Sequence, residues 1–221
     1  LGTAPGSAAT NITINSGAAL LVSGQTAAVT IDPNRNIALG TGGGSISNAN
    51  ATYAVTVGGV ISGAGNALTI NTSGNIGTVT LAGLNTYTGG TTIRGGTLSV
   101  SSGGISGTNL SSGSVTISGS TLFLNANGSV ITNTITLNSG TTNVIAVSAG
   151  ISATLGGVIS GSSASVTFGD STNTGTVILS NTNTFTGGTT ISGGTLRISA
   201  DANLGTAPGS AATNITINSG A

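Results

Sequence analysis

All the charge in this chain sits on six side chains: Asp32, Arg35, Arg94, Asp170, Arg197 and Asp201. Acid–base chemistry on a sugar polymer, the reaction most at home among extended β folds, needs two facing carboxylic acids, one to donate a proton and one to accept it or attack. Asp170 and Asp201 are the closest pair in the sequence, and with no His and no Glu anywhere there is nothing to complete a catalytic set. A hydrolase would require Asp170 or Asp201 to meet another carboxylate across a groove. The expectation is that all three aspartates are solvated turn residues and that the chain is not an enzyme.

Metal chemistry has as little to work with. The absence of His and Cys removes the usual zinc ligands. The stretch Gly40–Asn48, GTGGGSISN, has the glycines of a calcium-binding β-roll loop but not its aspartate. No cofactor is expected. Thr-x-Thr pairs at Thr78/Thr80, Thr86/Thr88, Thr134/Thr136 and Thr184/Thr186 could order water on a flat face, but Thr is also simply a good strand residue. Tyr87 and Phe185 would make a sugar-stacking platform if exposed; as inward residues of matching strands, the reading adopted here, they are core.

What could position such residues is set by composition. Only 3% of the 221 residues are charged, 37% are hydrophobic, and Gly alone accounts for 39. Val, Ile and Thr favour strands through their branching at Cβ, while Gly and Asn supply turns. A net charge of zero gives no attraction to nucleic acid or anionic lipid. No apolar run approaches the length of a membrane span.

The chain repeats itself on two scales. Residues 1–18, LGTAPGSAATNITINSGA, recur unchanged as residues 204–221. Residues 57–107 align without gaps on 155–205, 98 positions on, with 27 of 51 identical. The expected organisation is one full tandem repeat, residues 1–203, made of half-units 2–106 and 107–204. Residues 204–221 would begin the next identical copy in one continuous solenoid.

Apolar residues fall in i, i+2 dyads bounded by Gly, Ser, Asn or Thr-Gly, as at Val79/Leu81, Leu98/Val100, Val177/Leu179 and Leu196/Ile198. Strands this short suit an all-β, right-handed parallel β-helix, in which each strand stacks on its counterpart one coil away. Gly77–Val100 reads as one coil of roughly 20 residues, giving about 8–10 coils per 203-residue period. Val79, Leu81, Tyr87, Ile93 and Leu98 should stack in the core, with Val177, Leu179, Phe185, Ile191 and Leu196 as their equivalents. Tyr87 should sit in a second short strand of that coil. The first half-unit is seven residues longer, and the excess suggests a protruding loop within Asp32–Asn50, carried by Asp32, Pro33, Arg35, Gly42 and Gly43.

TVTLAGLNTYTGGTTIRGGTLSV and TVILSNTNTFTGGTTISGGTLRI resemble the autotransporter-associated β-strand repeat, also called the passenger-associated transport repeat. The following Ala202–Ser210, ANLGTAPGS, resembles the linker common after such repeats. The resemblance implies a bacterial extracellular passenger built as a parallel β-helix, and no reaction.

The expected function is a structural repeat unit of a long fibre, extracellular or on a bacterial cell surface, resistant to protease and to pH. The alternative is an adhesin stalk that recognises glycans or neighbouring cells through side loops. The expected partners are copies of itself stacked end to end, in the same or a neighbouring chain, with lateral bundling of rods. Nucleic acid is not expected as a partner.

Overall fold

The computed structural model describes residues 1–101, 110–219 and 221. It is a parallel β-solenoid of about eight turns, and the one helical piece among the described residues is a short 3-10 turn at Asp201–Leu204. Each turn visits three faces in a fixed order. The first face stacks seven strands: Ala19–Val22, Gly44–Asn48, Leu68–Ile70, Thr91–Ile93, Val115–Ile117, Ile135–Leu137 and Ile159–Ser160. The second stacks nine: Val29–Ile31, Val55–Val57, Thr78–Leu81, Thr97–Val100, Thr121–Leu124, Asn143–Val147, Val166–Phe168, Thr189–Ile191 and Ile215–Ile217.

The third face comes in two runs. Ala9–Ile14, Arg35–Leu39 and Ile61–Ser62 form the first; Ser129–Ile131, Ser152–Leu155, Thr176–Leu179 and Thr195–Arg197 form the second. Both runs occupy the same position along the path, after the second face and before the first.

Every pairing is parallel and nearly all are in simple register, so like residues stack on like. One internal ladder on the second face runs Val29, Val55, Val79, Leu98, Leu122, Ile145, Phe168, Ile191 and Ile217. Three-residue strands within the stack, such as Val55–Val57, Leu68–Ile70 and Val115–Ile117, read buried, half-buried, buried, because the pleat sends alternate side chains inward. The core is therefore a column one residue deep on each face, lined by Val, Ile and Leu.

Turn length varies with sequence position. The shortest turns run from Val79 to Leu98 on the second face and from Val177 to Leu196 on the third. Others on the second face are longer by several residues, as from Val166 to Thr189 and from Val29 to Val55. The two short turns close because glycines at their corners pass against the backbone below. Gly96 and Gly194 both hold positive φ, and a Cβ would fall 2.4 Å and 2.3 Å from the carbonyls of Gly77 and Gly175.

Two expectations need correction. Residues 85–88 do not form a regular strand; they lie extended over the third face, with Thr86 N and Thr88 N donating to the carbonyls of Ile61 and Gly63. The amides of Ile61 and Gly65 are met there by the side chains of Asn85 and Thr88 and not by backbone carbonyls, which leaves no continuous ladder.

Nor does Asp32–Asn50 protrude. Arg35–Leu39 and Gly44–Asn48 are strands of the wall, and Arg35 is 5% exposed. Asp32 caps the tight turn beside Pro33 by accepting from Asn34 N at 2.8 Å. Gly42 and Gly43 lie against Ser16 and Ala67 of the adjoining turns. The extra length of the first half-unit is spread over its turns. Those from Ala9 to Arg35, Ala19 to Ser45 and Val29 to Val55 are equally long. Those from Val115 to Ile135 and Leu122 to Ile145 in the second half-unit are shorter. The boundary between half-units, at 106/107, lies outside the described residues.

Candidate functional site

The Asn-Thr-Tyr/Phe-Thr segment works as a clamp along the solenoid axis. Asn85 Oδ1 accepts from Ile61 N at 2.8 Å, and Asn183 Oδ1 accepts from Ile159 N at 2.8 Å. Two residues on, the aromatic ring turns inward, and Tyr87 and Phe185 are both fully buried. One further, the hydroxyls of Thr88 and Thr186 accept from Gly65 N and Ser163 N, each at 2.7 Å. Asn and Thr thus fasten the turn to the preceding one while the ring fills the core between them. The Tyr87 hydroxyl bonds that of Thr91 at 2.6 Å, and burial pushes its phenol up to about 12 although that bond works in the other direction.

Of the residues expected in the core, Val79, Leu81, Ile93, Leu98, Val177 and Leu179 are buried with the two rings. Ile191 and Leu196 are half-buried. Leu196 lies on Thr195–Arg197, the last strand of its face among the described residues.

The charged residues do not converge. Asp170 caps the turn between Val166–Phe168 and Thr176–Leu179, accepting from Asn173 Nδ2, Thr172 Oγ1 and the backbone N–H groups of both residues at 2.7–2.8 Å. Burial alone would raise its carboxyl; these four bonds outweigh it and hold the group at about 2. Asp201 opens the 3-10 turn one coil later, and Asp32 caps its own turn. Among the described residues no three carboxylates, histidines or cysteines cluster as metal ligands do, and no helix is long and apolar enough to cross a membrane. A shallow groove of ≈ 290 Å³ runs over Gly42, Ser45, Thr69, Thr72 and Ser73, with Arg94 at its edge, and is lined by hydroxyls and glycines.

The ends of the stack hold the most informative geometry, because the same text occurs at both. In the first copy, Ala9–Ile14 pairs with Arg35–Leu39 above it, and Ile14 is 4% exposed. In the second, Ile215–Ile217 pairs with Thr189–Ile191 below it, and Ile217 is 66% exposed. One strand sequence is thus seen with its upper neighbour at one end and its lower neighbour at the other. The two pairings use opposite edges and are compatible.

Arg35 lies at the first of these two ends. Its guanidinium donates to Leu1 O at 2.8 Å, to Asn11 Oδ1 at 3.2 Å and to Gly2 O. Leu204, Gly205 and Asn214 are the copies of those three acceptors. Its place beside Asp32, Pro33 and several glycines gives a loop reading; no local pattern marks an arginine whose partners lie a full turn away.

The family model described as Passenger-associated-transport-repeat matches residues 75–100 and 172–198, the two segments that carry the shortest turns and the clamp residues Asn85–Thr88 and Asn183–Thr186. Searches of curated proteins and of solved structures gave no match. Two segments of this parallel β-solenoid are thus similar to the passenger-associated transport repeat.

Proposed function

We propose that this chain is a stackable length of a rod displayed outside a bacterial cell, with a structural rather than catalytic role. The observation that carries the reading is the pair of settings of one strand sequence: Ile14 covered, Ile217 open. An uncovered parallel edge is a template for another strand, and because the same strand sequence at Ala9–Ile14 is covered by Arg35–Leu39, the cover that fits this one is Arg35–Leu39 of a following copy. In that arrangement each copy caps the last, and stability is a sum of turn-to-turn terms. The extracellular setting rests on the two passenger repeats. The scarcity of charge fits it, since few groups titrate near neutral pH and only three arginines are on offer to trypsin-like cleavage.

Polypeptides of one, two and three periods, imaged by electron microscopy, test the reading. Contour length should grow by roughly 42 Å for each added period, at about 4.8 Å per turn. Compact particles that widen without lengthening would overturn it.

A second reading, binding through the rod's side, draws on Tyr53 and Ile76. They are 37% and 62% exposed, on consecutive turns at the corner between the first and second faces. Such a pair could stack against a glycan. Binding to a glycan array that is lost in Tyr53→Ala would support it, and an array with no signal would remove it.

A further inference from the structure

Strands 98 residues apart in the alignment of the half-units are alike in sequence and do not share a face. Val55–Val57, Thr78–Leu81 and Thr97–Val100 lie on the second face; their counterparts Ser152–Leu155, Thr176–Leu179 and Thr195–Arg197 lie on the third. Ile61–Ser62 lies on the third, and its counterpart Ile159–Ser160 on the first. Leu68–Ile70 and Thr91–Ile93 lie on the first, and Val166–Phe168 and Thr189–Ile191 on the second. All six have moved one face in the direction of the chain.

The count of turns agrees. From Val55–Val57 the second face is revisited at Thr78–Leu81, Thr97–Val100, Thr121–Leu124 and Asn143–Val147, and Ser152–Leu155 follows one face later. A half-unit therefore spans four and one-third turns. The identical text at the two ends is an independent check. Ala9–Ile14 lies on the third face and Ile215–Ile217 on the second, two faces on, as two successive one-third steps require. The physics permits this, because parallel pairing asks only that inward positions stay apolar, and any face supplies that to any strand.

We infer that a tandem array of this repeat winds as a three-fold screw. Each half-unit is turned about a third of a revolution from the one before, and like surfaces return to the same side every third half-unit. That is thirteen turns, or roughly 62 Å of rod. The inference rests on the stacked-rod reading above.

It changes what the rod offers a partner. In the hydroxyl row Ser45, Thr69, Thr92, Thr116, Thr136 and Ser160 on the first face, Thr69 and Thr92 have their counterparts Thr167 and Thr190 on the second. The row climbs around the rod, so the rod has three equivalent sides and no single continuous threonine face. Whatever grips one element of the half-unit, a neighbouring rod included, meets it on all three sides.

The chain has no cysteine, so pairs of spin labels can be placed without background. Thr86→Cys with Ile178→Cys joins two positions on the third face four turns apart, and should read about 19 Å. Thr86→Cys with Thr184→Cys joins equivalent positions. It should read roughly 30 Å, because the rise of about 21 Å is joined by a crossing between sheets about 10 Å apart, widened by side chains that point away from each other. A second set, Thr92→Cys with Thr190→Cys against Thr92→Cys with Ser160→Cys, repeats the comparison on other turns. The last pair should read about 14 Å, three turns on one face. If both equivalent pairs give only the axial rise while the same-face pairs keep their spacing, the screw is wrong and the rod stands. If the same-face pairs also lose the turn spacing, the solenoid itself is wrong and both readings fall.

Discussion

The hydroxyls of Tyr87 and Thr91 lie 2.6 Å apart in the core, where each satisfies the other. In the second half-unit the ring is Phe185, and the hydroxyl of the matching Thr189 is buried with no hydrogen-bond partner. One oxygen atom separates a completed polar pair from an orphan, at equivalent points of one fold.

Tyr87→Phe should therefore destabilise by about 1–2 kcal/mol, because it strands the Thr91 hydroxyl as well as losing the bond. Phe185→Tyr supplies the missing partner and should stabilise by about 0.5–1.5 kcal/mol. Urea unfolding checks both. The two sites are more than four turns apart, so in the double variant the effects should add. Equal and opposite shifts of the midpoint are not expected, since Phe185→Tyr must also fit an added oxygen into a fully packed core.

The clamp asparagines make a second prediction. Asn85 and Asn183 are 5% and 4% exposed, and each accepts a backbone N–H of the turn below. Asn85→Ala or Asn183→Ala leaves a buried donor unpaired and should cost about 1–3 kcal/mol each. Aspartate at the same position tests the mechanism, because it keeps the acceptor while losing the amide donors. Asn183 Nδ2 also donates to Asn203 O, so Asn183→Asp should still destabilise, more at neutral pH than in acid.

Much of this is legible in the sequence. The i, i+2 dyads report the pleat directly, so Val79/Leu81 and Val177/Leu179 can be placed in the core from spacing alone. Arg35 escapes such a reading because a charge among Pro and Gly usually marks a solvated turn, and its acceptors are backbone carbonyls and an asparagine a full turn away. The clamp shows in the sequence only as a ring in a strand. Asn85 and Thr88 act on Ile61 and Gly65, and no pattern local to residues 85–88 announces a partner on the previous turn. Turn length resists too, because a corner can absorb several residues without disturbing the ladder, as the turns from Val79 to Leu98 and from Val29 to Val55 show.

Arg35→Ala should weaken the junction between copies more than the body of a copy. The guanidinium binds Leu1 O, Gly2 O and Asn11 Oδ1, the groups that recur at Leu204, Gly205 and Asn214. In a two-period polypeptide, hydrogen exchange should quicken around residues 204–214 when the second copy carries the change, while the strands from Thr121 to Leu155 stay protected. Arg35→Lys should restore only part of the protection, since an ammonium cannot spread its donors over three acceptors as a planar guanidinium does.

The dependence of stability on pH follows from two groups with opposite signs. The Tyr87 phenol is raised from 10.0 to about 12, chiefly by burial. Between those values the unfolded chain has lost the proton and the folded chain keeps it, so stability falls as pH rises from about 10 to 12. Asp170 is lowered from 3.8 to about 2: burial opposes the shift, but the bonds from Asn173 and Thr172 outweigh it. Its contribution is present above the unfolded value and is lost as pH falls towards 2, and it is small because the group is mostly solvated. Between about pH 5 and 9 neither group changes its protonation, and with no histidine the unfolding midpoint should be flat there. Tyr87→Phe should abolish the alkaline fall while leaving the acid limb in place, and Asp170→Asn should do the reverse. Thermal unfolding followed by circular dichroism across pH 2–12 reads both limbs in one series, and a midpoint that moved strongly near pH 7 would contradict this account of the charges.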